Sequence, residues 1–289
     1  MSSTSSYAGK TVQITGAARG IGAHTARRLH AGGAKVALVG LEPDNLEALT
    51  QELGTDRAAW WEADVTDFDA LTTAVDAAAE HFGGIDVAIA NAGVHYVGAF
   101  ETSPLEQIER ELEINLLGVI RTDKAVLPHL VKSGGYLLNI ASLAAVTHAP
   151  LMTAYAASKA GVEAFTNALR QEMSVRGVDV GTAYFGFIDT DMVRDAFSNE
   201  STKVMEKLMP KFVSNSVPVS EAVDALERAV LKRSDRTWAP KYVGGAIGIR
   251  GVLQPLTEKR VKGSKTLKKA LSIAESEVAR AAEKVKTRS

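Results

Sequence analysis

Residues 11–31 read TVQITGAARGIGAHTARRLHA, and this stretch decides the fold. Its first five residues are mostly apolar or β-branched and predict a buried strand, whereas Gly22–Ala31 has a helical pattern. Between them, the glycines permit a tight turn and a close approach of backbone to a ligand. A helix that begins at such a turn offers free N–H groups and a positive dipole end to a phosphate. The stretch therefore predicts a strand, a phosphate-binding turn and a helix.

The same alternation of short apolar runs and helical patterns continues along the chain. Most of the runs are continuously apolar, as in parallel strands that are covered on both faces. Strand–helix alternation implies right-handed crossovers, so we expect an α/β fold with a doubly wound parallel sheet flanked by helices. The predicted strands are Thr11–Thr15, Lys35–Val39, Ala58–Glu62, Val87–Ala90, Tyr136–Ile140, Val178–Tyr184 and Trp238–Val243. The predicted helices are Gly22–Ala31, Pro43–Leu53, Asp67–Phe82, Leu105–Val131, Ala154–Arg176 and Ser220–Lys232.

Composition excludes several classes of function. The 289 residues suit one large domain with an extension, and the net charge of -1 gives no reason to expect nucleic acid as a partner. The chain has no cysteine, which excludes disulfides, thiolate catalysis and zinc–thiolate sites, and no His/carboxylate spacing predicts a metal. The N-terminal residues do not resemble a signal peptide, and Val243–Leu256 is too short to span a bilayer, so we expect a cytoplasmic protein.

The C-terminal segment differs in composition from the rest of the chain. We expect a catalytic domain over residues 8–243 and a basic, helical extension over 244–289, because residues 241–289 hold 12 Lys/Arg and 4 Asp/Glu. The extension is predicted to cover the substrate cleft, bind a partner subunit, lie on an anionic membrane surface, or remain a solvated helix. One apolar stripe runs along its helical pattern, at Leu267, Leu271, Ala274, Val278, Ala281 and Val285.

A tyrosine and a lysine lie together at the start of a long predicted helix. Tyr155 and Lys159 are four residues apart, so both side chains project from one helical face. A free tyrosine is a poor base at neutral pH, but a nearby ammonium lowers its pKa and makes it a usable general acid/base. Ser142 follows the fifth predicted strand, and Asn115 lies within the preceding helix. These four residue types indicate chemistry at the carboxyl ends of the strands.

The glycine spacing from Gly16 to Gly22 and the positions of these four residues resemble the short-chain dehydrogenase/reductase family, in its compact single-domain branch. The resemblance covers about residues 8–243 and implies a Rossmann-type fold with hydride transfer between NAD(P) and a carbonyl or secondary alcohol carbon. By resemblance, Tyr155 exchanges a proton with the substrate oxygen, and Ser142 hydrogen-bonds that oxygen. A nucleotide-sensing regulatory protein on the same fold is the alternative function.

The resemblance also implies the roles of the remaining site residues. Lys159 lowers the Tyr155 pKa and binds the nicotinamide ribose, while Asn115 holds a helix irregularity and a water. Phe185 departs from the family pattern, which has proline at that position. A proline there would make the loop stiffer. The expected cofactor-binding residues are Gly16, Ala18, Arg19, Gly20, Ile21, Gly22, Leu41, Asp64, Val65, Asn91, Ala92, Gly93, Tyr155, Lys159, Gly186, Ile188 and Thr190.

The end of the second strand bears on the choice between NAD and NADP. A 2′-phosphate needs a cation and no competing carboxylate. Arg19 supplies the cation, and Gly40 stands where NAD-preferring members of the family carry an aspartate. Glu42 remains close enough in sequence to reach a ribose hydroxyl. We therefore favour NADP(H), and NAD(H) remains open.

The loops that follow the strands indicate the substrate, and two long helices indicate the assembly. Their side chains are mostly apolar, which favours an apolar ketone or alcohol as substrate, although the methionines would equally suit a small core within the lid. The long helices Leu105–Val131 and Ala154–Arg176 are apolar on more than one face, which predicts a homodimer, with a tetramer as the alternative. The candidate substrate residues are Val94, His95, Tyr96, Leu143, His148, Met192, Phe197, Met205, Leu208 and Met209.

Overall fold

The computed structural model of the chain describes residues 7–209 and 211–286, with the backbone alone at 212 and 281–286. Seven strands form one sheet in the order β3-β2-β1-β4-β5-β6-β7, and every pairing in it is parallel. The predicted doubly wound α/β fold is therefore confirmed. The strands are β1 (Thr11–Thr15), β2 (Lys35–Gly40), β3 (Ala58–Glu62), β4 (Val87–Ala90), β5 (Tyr136–Ile140), β6 (Asp179–Phe185) and β7 (Arg236–Ala239).

Helices connect the strands and form the C-terminal extension. The first ten are α1 (Gly20–Ala31), α2 (Pro43–Leu53), α3 (Phe68–Phe82), α4 (Leu105–Leu112), α5 (Gly118–Ser133), α6 (Thr153–Ser174), α7 (Asp191–Ser198), α8 (Glu200–Glu206), α9 (Lys211–Ser214) and α10 (Val219–Lys232). The extension contains α11 (Lys241–Gly248), α12 (Arg250–Val261) and α13 (Lys265–Lys286).

Two of the predicted elements are wrong in detail. The helix expected over Leu105–Val131 is divided into α4 and α5 by a π-helical segment, Glu113–Leu117. The strand expected at Trp238–Val243 is instead β7, which ends at Ala239. Pro240 follows it and has no N–H to continue a ladder, and α11 begins at the next residue.

The core lies on both faces of the sheet. Neighbouring residues of a strand point to opposite faces of the sheet. Leu138 packs with α1 and α10 on one face, and Leu137 packs with α3, α5 and α6 on the other. Both leucines are fully buried, and each such side chain stabilises the fold by roughly 1.5–3 kcal/mol. The helices thus cover both faces of the sheet, and its parallel strands all have their carboxyl ends at one edge.

Strand order reverses beside β1, because the chain leaves the β1–β2–β3 half and resumes with β4 on the other side. At this point the Asn91 side-chain amide donates to the carbonyl oxygens of Thr15 (3.0 Å) and Gly16 (3.1 Å). The backbone N–H of Asn91 donates to the Thr15 hydroxyl at 3.1 Å. Ligands of such sheets bind at the carboxyl ends of the strands beside this reversal.

A buried carboxyl group lies between the sheet and two helices. Asp123 of α5 is 1% exposed, and its Oδ2 accepts a hydrogen bond from Asn139 Nδ2 at 2.6 Å. Asn139 Nδ2 also donates to the Thr166 hydroxyl of α6 at 3.0 Å. Burial raises the pKa of Asp123 to about 8, although the hydrogen bond from Asn139 opposes the shift. Asp123 is therefore protonated in the folded protein at neutral pH.

We expect Asp123→Asn to remove part of the pH dependence of stability. The folded pKa of Asp123 lies above the unfolded value near 3.9, so its proton stabilises the fold at acidic pH. This contribution is lost as the pH rises towards 8. Between pH 5 and pH 8, the wild-type free energy of unfolding should decline by at least about 2 kcal/mol more than that of the variant.

Denaturant unfolding at several pH values measures this difference. Asp44→Asn is the matched control, because Asp44 is exposed at the start of α2. Parallel pH profiles of wild type and Asp123→Asn would contradict a protonated Asp123.

Candidate active site

The turn between β1 and α1 is shaped by its glycines. Gly16 and Gly20 have positive φ angles of 63° and 56°, a region that side chains rarely adopt. A Cβ atom on Gly22 would lie 2.3 Å from the Gly16 carbonyl oxygen, so the turn closes only around a glycine. These positions account for the glycine spacing of the sequence.

The first turn of α1 leaves room and donors for an anion. Arg19 precedes the helix in an extended conformation, and its side chain does not cap the first amides. Among the described residues, a Cβ atom on Gly20 would meet only Thr190, at 3.9 Å, so the space above the turn is open. Free N–H groups at a helix N-terminus that face open space fit the pyrophosphate of a dinucleotide.

Arg19 is paired with a carboxylate at the end of β2. Its Nε donates to Glu42 Oε1 at 2.8 Å, and Asn45 Nδ2 donates to Glu42 Oε2 at 2.7 Å. Sequence reasoning placed Arg19 and Glu42 at this end of the site but missed their pairing. Both side chains are well exposed, and exposed pairs of this kind contribute about 1 kcal/mol or less. A phosphate dianion could therefore compete with Glu42 for the guanidinium. Leu41, beside them, is 52% exposed.

Asp64 lies at the carboxyl end of β3, where the family resemblance puts the adenine ring. Its carboxylate accepts hydrogen bonds from the Thr66 N–H (2.8 Å) and from Arg110 Nη2 (3.0 Å). Burial raises the pKa of Asp64, but these hydrogen bonds outweigh it and hold the pKa below its usual value. Val65 is buried against Gly118. Arg110 was not found from the sequence, since an arginine within a helix carries no local signal of this contact.

Asn115 lies inside the π-helical segment and fixes the loop after β4. It is fully buried, its Oδ1 accepts from the Val94 N–H and its Nδ2 donates to the Val94 carbonyl, both at 2.8 Å. Gly93 faces this side chain, because a Cβ there would lie 3.0 Å from Asn115 Oδ1 and 3.8 Å from Lys159 Nζ. The extra residue of the π turn thus aims Asn115 at the loop beside Lys159. Ala92 packs closely on Gly16 across the same junction.

Ser142 and Tyr155 meet at the carboxyl end of β5. The buried Ser142 hydroxyl donates to the Phe185 carbonyl at 3.2 Å and accepts from the Ala144 N–H at 3.1 Å. Ser142 also lies close to the Tyr155 hydroxyl. Burial raises the pKa of Tyr155, the neighbouring Ser142 hydroxyl lowers it, and the negative charge of Glu111 raises it. The net shift is upward, so the tyrosine keeps its proton at neutral pH.

Lys159 lies one helical turn after Tyr155 and is buried. Its Nζ donates to the Ile140 carbonyl at 2.9 Å and lies 5.8 Å from the centroid of the Tyr155 ring. Burial lowers the pKa of Lys159 to about 8, and the Glu111 carboxylate opposes this shift. Lys159 is therefore charged below about pH 8. Four predicted residues, Asn115, Ser142, Tyr155 and Lys159, thus lie around one end of the cleft.

The loop after β6 forms the opposite wall of the cleft. Phe185 and Ile188 are buried in the core, so the Phe185 ring does not project into the cleft. A Cβ on Gly186 would lie 2.6 Å from the Tyr242 hydroxyl, which explains a glycine there. The Thr190 hydroxyl accepts from the Val193 N–H at 3.4 Å and so caps α7.

The residues expected to contact substrate lie in different surroundings. Met205 and Leu208 pack with Ala270 and Ala274 of α13, so they belong to a small core beneath the extension. The His95 ring, by contrast, packs against the Tyr155 ring with centroids 4.4 Å apart. The Phe197 ring contacts the Phe187 ring, and His148 is exposed on the loop after β5. The remaining candidates are partly buried: Val94, Tyr96, Leu143, Met192 and Met209.

The extension packs on the segment that follows β6. Its predicted apolar stripe contributes Leu267, Leu271 and Ala274 to the small core with α8, so that part is not a solvated helix. Ala281 and Val285 of the stripe lie outside the described side chains. Glu277 of α13 accepts hydrogen bonds from the Glu200 N–H (2.9 Å) and the Ser201 hydroxyl (2.6 Å). Its carboxylate thus caps the N-terminus of α8 from another helix.

The apolar residues of α12 are more exposed than those of α13. Val252 and Leu256 of α12 are 64% and 61% exposed, and Ile249, which precedes the helix, is 59% exposed. Within residues 7–209 and 211–286, no helix is long and apolar enough to cross a membrane. The same residues contain no cluster of three or more His, Asp or Glu side chains placed to hold a metal ion.

We expect Glu277→Ala to loosen α8 without unfolding the sheet. Loss of a helix cap costs about 0.5–2 kcal/mol, and the loss here falls on α8 alone. Hydrogen exchange of the amides of residues 200–206 should therefore accelerate several-fold. Glu275→Ala is the matched control, because Glu275 is exposed on the same helix. Equal exchange rates in the two variants would show that Glu277 does not hold α8.

Comparison with known proteins places these features among related enzymes. A family model described as short chain dehydrogenase matches residues 10–201. Oxidoreductase SadH of Mycobacterium tuberculosis is 38% identical over 202 residues, which are 66% of this chain and 71% of that protein. Trans-4-hydroxycyclohexanecarboxylate dehydrogenase of Sinomonas cyclohexanicum is 35% identical over 191 residues, which are 63% of this chain and 74% of that protein. Dehydrogenase/reductase SDR family member 7B of Bos taurus is 33% identical over 251 residues, which are 83% of this chain and 76% of that protein.

Proposed function

Because the chain belongs to the short-chain dehydrogenase/reductase family of oxidoreductases, we propose that it transfers a hydride between a nicotinamide cofactor and a carbonyl or secondary alcohol carbon. The observation that carries this proposal is the junction of Ser142, Tyr155 and Lys159. The three side chains lie at the carboxyl ends of the strands, where the glycine turn also opens. A general acid/base beside a dinucleotide cleft is what carbonyl reduction requires.

The chain's own residues handle the proton and the charge on oxygen. The nicotinamide supplies or accepts the hydride when it is bound. Tyr155 gives its hydroxyl proton to the carbonyl oxygen in reduction and recovers it in oxidation. The Ser142 hydroxyl hydrogen-bonds the same oxygen and stabilises its developing negative charge. Lys159 holds positive charge near this oxygen and, by analogy with the family, binds the nicotinamide ribose.

The protonation states suit proton donation from Tyr155 to a carbonyl oxygen near neutral pH. Burial and the Glu111 carboxylate raise the Tyr155 pKa, so the tyrosine is ready to donate a proton. Lys159, whose pKa burial lowers to about 8, is charged at neutral pH and attracts the electron density that forms on oxygen. Asn115 holds the loop after β4 beside Lys159 and acts as a positioning residue.

The remaining cofactor contacts follow from the geometry of the cleft. The amides at the start of α1, in the turn of Gly16, Ala18, Arg19, Gly20, Ile21 and Gly22, would hold the pyrophosphate. Leu41, Asp64 and Val65 would flank the adenine, and Gly186, Ile188 and Thr190 would lie along the nicotinamide carboxamide. We favour NADP(H) over NAD(H), because the pair between Arg19 and Glu42 is exposed and a 2′-phosphate can replace Glu42 in it.

The substrate is proposed to be a mostly apolar ketone or secondary alcohol. Apolar residues line the loops around Tyr155, and α13 covers the segment after β6 with a further apolar core. We propose that the extension closes the substrate side of the cleft. Contact of the extension with an anionic membrane surface stays a prediction, for which the exposed apolar residues of α12 are the available face. A cytoplasmic location also stays a prediction.

Tyr155→Phe should reduce kcat by about 10²–10⁴-fold, because it removes only the hydroxyl that transfers the proton. The dissociation constant for NADPH, measured by fluorescence titration, should change less than threefold. Tyr7→Phe is the matched control, since it removes a hydroxyl that donates to Glu227, before β1 and at the opposite edge of the sheet. A rate near that of wild type for Tyr155→Phe would remove Tyr155 from the mechanism.

Arg19→Ala should weaken NADPH binding by about 1.5–3 kcal/mol and NADH binding far less, because only NADPH carries a 2′-phosphate. Glu42→Gln should strengthen NADPH binding, since it releases Arg19 from its pair. Dissociation constants for both cofactors and all three proteins test this choice. A wild type that prefers NADH, or equal losses for both cofactors in Arg19→Ala, would reverse it.

We propose that the chain forms a homodimer through α5 and α6, with a tetramer as the alternative. Leu117 at the start of α5 is 40% exposed, and α6 exposes Ala157, Ala164 and Ala168 along one face. Two such helices can pack closely on their copies across a two-fold axis.

Light scattering should therefore give a dimer for wild type and a monomer for Ala164→Arg. Val175→Arg is the control, because Val175 is 84% exposed beyond the end of α6. A monomeric wild type, or an unchanged mass for Ala164→Arg, would rule out this interface.

A further inference from the structure

Glu111 is a buried carboxylate that the proposed reaction does not use. It lies near the end of α4, is 2% exposed, and its Oε1 accepts a hydrogen bond from the Tyr96 N–H at 3.0 Å. The same oxygen lies 3.2 Å from His95 Nδ1. Burial of a charged group is costly unless hydrogen bonds compensate, so these two donors account for a carboxylate at this position.

The contact with Glu111 decides which nitrogen of His95 carries hydrogen. Glu111 Oε1 is an acceptor, so Nδ1 must donate to it, and in the neutral ring Nε2 is then an acceptor. Within the part of the chain that the structure describes, Nε2 has no hydrogen-bond partner. It is also not among the fully buried side-chain atoms that lack a partner. Nε2 therefore has access to solvent and is a fixed acceptor without a partner among the described residues.

His95 lies directly beside the proposed proton donor. The centroids of the His95 and Tyr155 rings are 4.4 Å apart, and the ring planes are tilted by 52°. The electrostatic effect of Glu111 on both Tyr155 and Lys159 is a second sign that this group borders the reaction centre. A substrate oxygen bound to the Tyr155 hydroxyl would therefore place its neighbouring carbons near the His95 ring.

We propose that His95, held by Glu111, forms a polar subsite that binds a hydroxyl group on the carbon next to the reacting carbon. The substrate class is then a 2-hydroxy ketone, or the corresponding vicinal diol in the reverse direction. The substrate hydroxyl donates to His95 Nε2, while the Tyr155 and Ser142 hydroxyls serve the reacting oxygen. This inference rests on the proposed function and adds a specificity determinant to it.

The subsite discriminates because its acceptor is fixed in place. A bound substrate displaces water from Nε2, so an analogue that lacks the hydroxyl leaves this nitrogen without a partner and binds less well. One such hydrogen bond corresponds to about tenfold in kcat/KM, from a net value near 1.4 kcal/mol. Glu111 is a positioning residue in this arrangement, because its hydrogen bonds hold His95 and the Tyr96 N–H rather than the substrate.

Three probe substrates with one carbon skeleton test the subsite. Cyclohexanone lacks the second hydroxyl, 2-hydroxycyclohexanone carries it next to the carbonyl, and 4-hydroxycyclohexanone carries it too far away. With wild type, kcat/KM for the 2-hydroxy compound should exceed that for the other two by about tenfold. In His95→Phe the three values should become nearly equal, through loss on the 2-hydroxy compound alone.

Two further variants separate a polar contact from general disturbance of the site. Glu111→Gln retains an acceptor for both N–H groups and should keep most of the preference, whereas Glu111→Leu should lose it. His81→Phe changes an exposed histidine in the last turn of α3, which leads into the amino end of β4 at the opposite edge of the sheet, and should behave as wild type. A wild type without preference for the 2-hydroxy compound, or a preference that survives in His95→Phe, overturns the proposal.

The failure of this inference can be distinguished from failure of the proposed function. Turnover of all three ketones at equal rates leaves the oxidoreductase proposal standing and removes the subsite. If none of the ketones turns over, calorimetric titration of trans-cyclohexane-1,2-diol and cyclohexanol into the protein with NADPH decides the subsite by itself. Tighter binding of the diol that disappears in His95→Phe supports it, and equal binding of the two alcohols overturns it.

Discussion

The hydrogen bonds from Asn91 to the carbonyl oxygens of Thr15 and Gly16 join the two halves of the sheet where strand order reverses. Parallel strands place all their carboxyl ends at one edge, and the reversal opens a crevice between β1 and β4. The glycine turn lies on one side of this crevice, and the loop that leads to His95 lies on the other. The position of every functional side chain follows from this junction.

Local sequence patterns predicted most of the fold, because the spacing of apolar residues in each helix and strand agrees with the period of that element. β1 and α1 follow directly from the apolar run and the glycines of residues 11–31, and the sheet order confirms the doubly wound arrangement. Errors came where one residue overrides a pattern. Pro240 ends β7 earlier than its apolar neighbours suggested, and the π turn around Asn115 adds a residue that periodicity alone does not show.

The site was predictable only where its parts carry a spacing. Tyr155 and Lys159 share a helical face by sequence alone, and the structure brings Ser142 to the same place. Contacts between distant segments carry no such signal, as with Arg19 and Glu42, which are 23 residues apart, and His95 and Glu111, which are 16 apart. The capping of α8 by Glu277 is a still longer contact, across 77 residues. These pairs arise from tertiary packing and became visible only in three dimensions.

Direct titration of NADPH into the protein tests the central claim that this crevice is a nicotinamide-dinucleotide site. Wild type should bind one molecule per chain. Gly22→Ala should bind at least about tenfold more weakly, because its Cβ would lie 2.3 Å from the Gly16 carbonyl oxygen and distort the turn. Gly245→Ala, where a Cβ meets nothing within 4 Å, should bind as wild type does. With circular dichroism showing all three proteins folded, absence of binding to either NADPH or NADH, or unchanged binding in Gly22→Ala, would contradict the account.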